Sequence, residues 1–148
     1  MVCGILCVEV IKLNTEDNLT HARTCVYNVN YHIVWSVKYR HKVLKGKIAA
    51  RFKEIMEQVA EDKEFIIKSI EIMDDRVHLF AAAHPKISPS YIVKMSKGIS
   101  GRLLLKEFSE LKSKLRKGKL WNPSYYVETI GHISEETVKK YIEDQKAN

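Results

Sequence analysis

The stretch EIMDDRVHLF (71–80) is the most informative part of the sequence for the fold, because two aspartates interrupt an apolar run near its middle. Asp74 and Asp75 tolerate the turn conformation that a two-residue β-hairpin needs. With this turn Glu71 lies opposite His78, and direct cross-strand partners have Cβ atoms about 5 Å apart on one face of a sheet. The stretch therefore predicts a hairpin that presents a carboxylate beside an imidazole. An ordinary hydrogen bond or ion pair between the two side chains is the alternative interpretation.

Strands and helices are predicted on both sides of this hairpin, whose own strands are expected at 64–73 and 76–84. Strands are rich in β-branched and aromatic residues, whereas helices repeat apolar residues every three or four positions. By these patterns the other elements are a long strand (24–39), two helices (46–63 and 90–110), a strand (124–131) and a last helix capped by Ser134. The order β-α-β-β-α-β-α is that of an α+β fold, a ferredoxin-like split βαβ antiparallel sheet with an added C-terminal helix.

The length of 148 residues suits one domain with a hydrophobic core. Residues 1–22 are predicted to be an N-terminal extension, and residues 23–148 a single domain. The three cysteines form no paired framework and no secretory leader is recognisable, so a cytoplasmic location with free thiols is expected. No apolar run approaches the roughly 18 residues of a membrane span, so no membrane association is expected.

The positive charge is concentrated in one part of the chain. The net charge is +7, and the segment from Lys94 to Lys119 holds nine Lys or Arg against two Glu, which by itself leaves +7. Such a segment favours a nucleic-acid contact surface, with a solvated helix face as the alternative. In the helix over 90–110, one side is predicted to carry Ile92, Met95, Ile99 and Leu103, and the exposed or ligand-facing side Lys94, Lys97 and Arg102.

Two glycines interrupt the same helix. Gly98 and Gly101 each weaken a helix by up to about 1 kcal/mol relative to alanine. They would also allow close approach of a backbone, because glycine has no Cβ.

A tyrosine and an amide lie four residues apart near the C-terminus, in SEETVKKYIEDQKAN (134–148). On a helix, Tyr141 and Gln145 would project from the same face. Together with Glu71 and His78 they supply a phenol, a carboxylate, an imidazole and an amide oxygen. Such groups can form a metal-assisted phosphodiester transfer site.

Five pieces of the sequence resemble a known family in order and spacing, and together they span about 24–145. They are YHIVWSVKYR (31–40), IEIMDDRVHLF (70–80), MSKGISGRLLLKEF (95–108), LWNPSYYVETIG (120–131) and YIEDQ (141–145). The family is that of the small single-tyrosine insertion-sequence transposases, the IS two-hundred class of the His-hydrophobe-His endonuclease superfamily.

The resemblance implies a transposase that cleaves and rejoins single-stranded DNA with hairpin ends. Tyr141 would be the nucleophile that forms a 5′-phosphotyrosine link, on the added C-terminal helix. His78 and Gln145 would be ligands of a divalent metal, Mg²⁺ or Mn²⁺. The family works as a homodimer. His32, within the first matching piece, is interpreted as a packed or hydrogen-bonded structural histidine.

The chain departs from the family at the first motif histidine, where D-H-V-H is replaced by Asp75-Arg76-Val77-His78. Arginine has no lone pair with which to bind a metal. Glu71 is the predicted substitute ligand, with Asp75 as second choice, because carboxylate oxygen suits a hard ion. Arg76 would instead contact phosphate. A catalytically impaired relic that acts only as a nucleic-acid-binding module is the alternative.

Four other cations fall within the matching pieces and are predicted to contact DNA phosphates, because a nucleic-acid backbone rewards clustered positive charge. They are Lys38, Arg40, Lys97 and Arg102.

Overall fold

The computed structural model describes residues 12–13, 19–115, 118–131, 143–144 and 146, with the backbone alone at 12–13. Tyr141 and Gln145 lie outside the described residues, as does the predicted cap Ser134. The described strands are β1 (Lys12–Leu13), β2 (Thr20–His21), β3 (Val26–Tyr27), β4 (Asn30–Ser36), β5 (Phe65–Ile72), β6 (Arg76–Ala83) and β7 (Tyr126–Ile130). The described helices are α1 (Gly46–Lys63), α2 (Pro89–Glu107) and α3 (Ser109–Lys114).

The main sheet has four antiparallel strands in the order β5-β6-β4-β7. This order, with α1 between β4 and β5 and α2 between β6 and β7, is the ferredoxin-like split βαβ plan and confirms the predicted α+β fold. The hairpin register is also confirmed, since Glu71 pairs with His78 across β5 and β6. The Met73 amide donates to the Arg76 carbonyl oxygen at 2.9 Å and closes the hairpin over Asp74 and Asp75.

The predicted long strand over 24–39 is wrong in its length. It consists of β3 and β4, separated at Asn28 and Val29. The Asn28 side chain donates to the Gly131 carbonyl oxygen at 2.7 Å, and the Asn30 side chain donates to the Asn28 side chain. Asparagine side chains that bond to nearby polar groups in this way compete with a regular strand ladder. β3 therefore belongs to a separate small sheet of order β1-β2-β3.

This small sheet crosses the predicted boundary between the extension (1–22) and the domain (23–148), because β2 precedes it and β3 follows it. The boundary itself stays a prediction.

The hydrophobic core lies between α1, α2 and one face of the main sheet. Strand alternation turns Ile33 and Trp35 of β4 and Leu79 of β6 toward the helices, and all three are buried. Trp35 meets Phe52 of α1 edge to face, with ring centroids 6.4 Å apart. The helices therefore occupy one face of the sheet and leave the other face for the polar residues of the same strands.

Helix α2 differs from its prediction in its end and in its buried side. It ends at Glu107 rather than near 110, and Ser109 begins the separate short helix α3. The buried side carries Ile92, Val93, Ser96, Ser100, Gly101 and Leu104, whereas Met95, Ile99 and Leu103 are only partly buried. Small residues face the core because Trp121 packs against them, as its Nε1 donates to Ser100 Oγ at 3.0 Å.

Gly101 lies at a close packing contact, whereas Gly98 does not. A Cβ on Gly101 would lie 3.3 Å from Cδ1 of Trp121, whereas a Cβ on Gly98 would meet nothing within 4 Å. The approaching group is a tryptophan ring rather than a backbone segment. Among the described helices, none is long and apolar enough to cross a membrane.

Candidate functional site

The site lies on the sheet face that the helices leave uncovered. Strand alternation places His32 and Val34 of β4 on this face, with His78 and Phe80 of β6 beside them. β7 adds Glu128, the direct partner of His32 on the other side of β4. The two central strands and one edge strand thus bring two imidazoles and a carboxylate together.

These side chains form a continuous polar chain. The Tyr126 hydroxyl donates to Glu128 Oε2 at 3.0 Å, and Glu128 Oε1 lies 3.0 Å from His32 Nδ1. His32 Nε2 lies 3.1 Å from His78 Nδ1. His32 and His78 are 1% and 2% exposed, so the histidine–histidine bond is shielded from water, while the carboxylate end is 34% exposed.

The ring geometry agrees with a hydrogen bond between the two histidines. Their planes are only 15° apart while their centroids are 5.4 Å apart, which describes rings edge to edge in nearly one plane. A ring N–H and a ring lone pair both lie in the ring plane, so this is the geometry that an N–H···N bond needs. Phe80 stacks on His32 at 4.4 Å and 8°, and so fixes the plane of that ring.

The second ring nitrogen of His78 is the chemically notable atom of the site. Nε2 is buried and has no hydrogen-bond partner within the part of the chain that the structure describes. Burial is the main cause that lowers the pKa of His78 to about 4, and electrostatic interactions with His32 and Arg76 act in the same direction. The imidazole is therefore neutral near pH 7, and a neutral imidazole is the form that binds a metal.

Glu71 sits directly across from His78 and raises the His78 pKa in opposition to the larger effects. Its carboxylate is also ion-paired with the Lys146 ammonium. Asp75, the second-choice ligand, lies at the hairpin turn, where its carboxylate is 3.4 Å from an Arg40 nitrogen and 3.8 Å from Arg76 Nε. Of the two carboxylates, Glu71 is the one on the His78 face.

Two side chains of this face could hold a divalent metal. The Glu71 carboxylate is the donor type that Mg²⁺ and Mn²⁺ prefer, and the unpartnered Nε2 of His78 is a nitrogen donor of the type that transition-metal ions accept. Glu71 and His78 are two of the predicted ligands, and the third, Gln145, lies outside the described residues. Within those described residues, no cluster of three His, Cys, Asp or Glu side chains is arranged to hold a metal. Gln145 or water would have to complete the coordination.

The predicted DNA-binding cations differ in their solvent exposure and in their side-chain contacts. Arg102 is exposed on α2, and the Arg40 side chain is 61% exposed, while Lys38 stands 5.4 Å over the Tyr39 ring. Arg76 is half-buried on the His78 face, with its Nε 3.2 Å from Met73 Sδ.

Lys97 is only partly exposed. Its ammonium donates to the carbonyl oxygens of Asn122 at 2.6 Å and Ser124 at 3.3 Å. Partial burial also lowers the Lys97 pKa. Lys97 therefore links the loop before β7 to α2. Its predicted contact with DNA stays a prediction.

Neither Glu128 nor its contact with Tyr126 was predicted from the sequence, and for His32 a structural role was favoured over catalysis. The available signal was parity: His32 lies two residues before Val34, and Glu128 lies two after Tyr126, so each pair shares a face. The sequence did not reveal that β4 lies between β6 and β7, and this pairing is what brings His32 and Glu128 together.

Comparison with known proteins identifies related chains over most of this length. The family model described as "Transposase IS200 like" matches residues 25–145. The chain is 40% identical to the ISDra2 transposase TnpA of Deinococcus radiodurans over 123 residues, 83% of this chain and 88% of that protein. It is 31% identical over 137 residues to the transposase for insertion sequence element IS200 of Salmonella typhimurium, 90% of this chain and 88% of the relative.

Solved structures show the same relationship. A crystal structure of a candidate transposase from Deinococcus radiodurans R1 superposes with a TM-score of 0.71 at 36% identity, over 85% of this chain and 97% of that one. A REP-associated tyrosine transposase bound to a REP hairpin superposes with a TM-score of 0.58 at 13% identity, over 86% and 73% of the two chains. The second likeness is one of fold alone.

Proposed function

The chain belongs to the family of IS200-like transposases, and on this premise we propose that it cleaves and rejoins single-stranded DNA through a covalent tyrosine intermediate. The observation that carries the proposal is the buried, unpartnered Nε2 of His78 opposite Glu71. A structural histidine with both ring nitrogens satisfied would have no capacity left for a ligand. In this site the Nε2 lone pair of His78 remains available to a ligand, and the Glu71 carboxylate is on the neighbouring strand directly opposite.

Tyr141 is the proposed nucleophile. Its phenol gives up its proton as the phenolic oxygen attacks the phosphorus of a DNA phosphodiester, and the bond from phosphorus to the 3′ oxygen breaks. The leaving 3′ oxygen takes up a proton, so one proton is released and one is taken up. The products are a 5′-phosphotyrosine and a free 3′-hydroxyl. Attack by a 3′-hydroxyl on the phosphotyrosine reverses the step and rejoins DNA. One ester replaces another in each direction, so no nucleotide energy source is required.

His78, Glu71 and Gln145 are the proposed holders of Mg²⁺ or Mn²⁺. When bound, such an ion polarises the scissile phosphate and stabilises the charge on the leaving oxygen. The contact between Glu71 and Lys146 supports this ligand set, since Gln145 is the residue directly before Lys146 in the chain. Arg76 is proposed to contact the same phosphate, because it lies on β6 two residues from His78 and on the same face.

Single-stranded DNA with hairpin ends is the proposed substrate. The relative bound to a hairpin has the same fold, which supports the proposal by analogy. The exposed cations Arg40 and Arg102, with Lys38, would supply phosphate contacts. Tyr125, 42% exposed, offers a ring face on which an unpaired base stacks.

We further propose that the protein acts as a homodimer, as the resemblance to the family implies. Light scattering coupled to gel filtration measures the mass directly. Twice the 17.2 kDa of one chain supports the dimer, and 17.2 kDa at assay concentration contradicts it.

The experiment that tests the catalytic proposal is nicking of single-stranded hairpin oligonucleotides from the flanks of the gene, with Mn²⁺, Mg²⁺ or EDTA. His78→Ala should lose metal-dependent nicking while it still shifts the DNA on a native gel. Exposed His41→Ala is the matched control and should nick normally. If the wild-type protein binds the hairpin but never nicks it with either metal, the chain is the impaired, binding-only relic.

A further inference from the structure

Glu128, His32 and His78 are joined side chain to side chain. Two hydrogen bonds run in series through the site: Glu128 Oε1 to His32 Nδ1, then His32 Nε2 to His78 Nδ1, at 3.0 and 3.1 Å. Each neutral imidazole has one N–H and one lone pair, so the bond at one end of a ring dictates the character of the other end. The two bonds therefore connect a partly exposed carboxylate to the buried His78 imidazole.

We infer that Glu128 and His32 are positioning residues that hold His78 in the Nδ1–H tautomer, with the Nε2 lone pair aimed at the metal site. The inference rests on the proposed function for its purpose, but the tautomer exists without metal or DNA. An ionised carboxylate only accepts hydrogen bonds, so Glu128 requires the proton of His32 on Nδ1. His32 Nε2 is then a lone pair, and His78 must donate to it from Nδ1. His78 Nε2 is left unprotonated.

The surroundings of the series make this arrangement rigid. Phe80 stacks on His32 and prevents its ring from turning, and Tyr126 donates to the other carboxylate oxygen of Glu128. The tyrosine contact also decides what an amide at position 128 would do. In Glu128→Gln the amide oxygen accepts from Tyr126, so the amide nitrogen faces His32 Nδ1. That nitrogen donates, which moves the His32 proton to Nε2 and the His78 proton to Nε2.

The test is the tautomer of His78, read from two-bond ¹H–¹⁵N correlation spectra of protein labelled with ¹⁵N-histidine, in EDTA at pH 7.5. His78 is assigned by loss of its signals in His78→Gln. The wild-type protein and Tyr126→Phe should both show a protonated Nδ1 and an unprotonated Nε2. Glu128→Gln should show the opposite pattern at His78, and Glu61→Gln, an exposed carboxylate on α1, should show the wild-type pattern.

Mn²⁺ affinity provides the second measurement, by electron paramagnetic resonance of the free ion. Loss of a side chain that orients a metal ligand typically weakens binding about 10- to 100-fold. We expect a loss in that range for Glu128→Gln and no change for Glu61→Gln. A wild-type His78 protonated on Nε2, or a Glu128→Gln spectrum identical to the wild type, overturns the inference. Either result leaves the nicking assay free to succeed, so the failure of the relay and the failure of the proposed function are distinguishable.

Discussion

Glu71 and His78 are direct cross-strand partners on the sheet face opposite the helices. A carboxylate one strand away from a buried, neutral imidazole places an oxygen donor and a nitrogen donor for a divalent metal on this face. Lys146 is ion-paired with the same carboxylate. We propose that Glu71 compensates in this way for the Arg76 departure from the family motif.

Lys146→Gln should tighten Mn²⁺ binding by about two- to fivefold, because the ammonium competes with the metal for the Glu71 carboxylate. The effect is small since the two side chains are 48% and 30% exposed, and exposed ion pairs contribute at most about 1 kcal/mol. Titration of free Mn²⁺ by electron paramagnetic resonance measures the change. The control Lys112→Gln removes an exposed charge from α3 and should leave the Mn²⁺ affinity unaltered. Weaker binding in Lys146→Gln would mean that the lysine organises the site rather than competes for it.

Acidification should destabilise the metal-free protein between about pH 6.5 and pH 4 through His78. Its pKa is lowered from 6.5 to about 4 in the folded state, so the unfolded chain takes up the proton first as the pH falls. The stability that neutral His78 contributes is full above pH 6.5 and is lost as the pH falls through 4. Uptake of one proton gives a slope of at most about 1.4 kcal/mol per pH unit.

Urea unfolding of the wild-type protein and His78→Gln at pH 7.5, 5.5 and 4.5 measures this slope. The difference between the two proteins isolates His78 from the carboxylates, which titrate in both. Parallel pH profiles for the two proteins would contradict the prediction.

Gly101→Ala and Gly98→Ala should have opposite effects on stability. The new Cβ at 101 would press on a Trp121 ring that Ser100 and Phe52 hold in place, so overpacking should outweigh the gain in helix propensity and cost about 1 kcal/mol. The Cβ at 98 meets nothing, so that variant should gain about 0.5 to 1 kcal/mol. Thermal and urea unfolding compare the two. A stabilised Gly101→Ala would show that Trp121 yields easily.

Arg102→Ala and Lys97→Ala should separate DNA contact from loop anchoring. Arg102 is exposed, so its loss should weaken hairpin binding and reduce the slope of log affinity against log salt by about 1. Lys97 is bonded to two carbonyl oxygens of the loop before β7, so its loss should chiefly lower the unfolding temperature. Fluorescence anisotropy over a salt series and thermal unfolding measure the two effects. The assignment fails if Lys97→Ala changes the salt slope and leaves the stability intact.

The hairpin was predictable because its determinants are local. Asp74 and Asp75 fix the turn, and the turn fixes the cross-strand pairs up to the register shift between Ile67 and Ser69, including Glu71 with His78. The order of elements also followed from local patterns, and with it the ferredoxin-like plan. The extent of α1 (Gly46–Lys63) followed in the same way from its apolar periodicity.

Errors arose where a distant contact decides the local structure. The break between β3 and β4 follows from the bond of Asn28 to Gly131, 103 residues away. The buried side of α2 follows from Trp121, which selects serine and glycine over the larger apolar side chains. The relay from Glu128 to His78 spans three strands that are far apart in sequence, so no local pattern identifies it.

We propose that Tyr141 forms a covalent bond with single-stranded DNA at a site to which His78 and Glu71 contribute. The most direct measurement is a denaturing gel of the protein after incubation with labelled flanking hairpin oligonucleotides and Mn²⁺, followed by mass spectrometry of the modified peptide. We expect an adduct on the peptide containing Tyr141 that disappears in EDTA, in Tyr141→Phe and in Glu71→Ala. An adduct formed only by Arg76→His would contradict the claim that Glu71 substitutes for the missing histidine, and an adduct on another residue would contradict the assignment of the nucleophile.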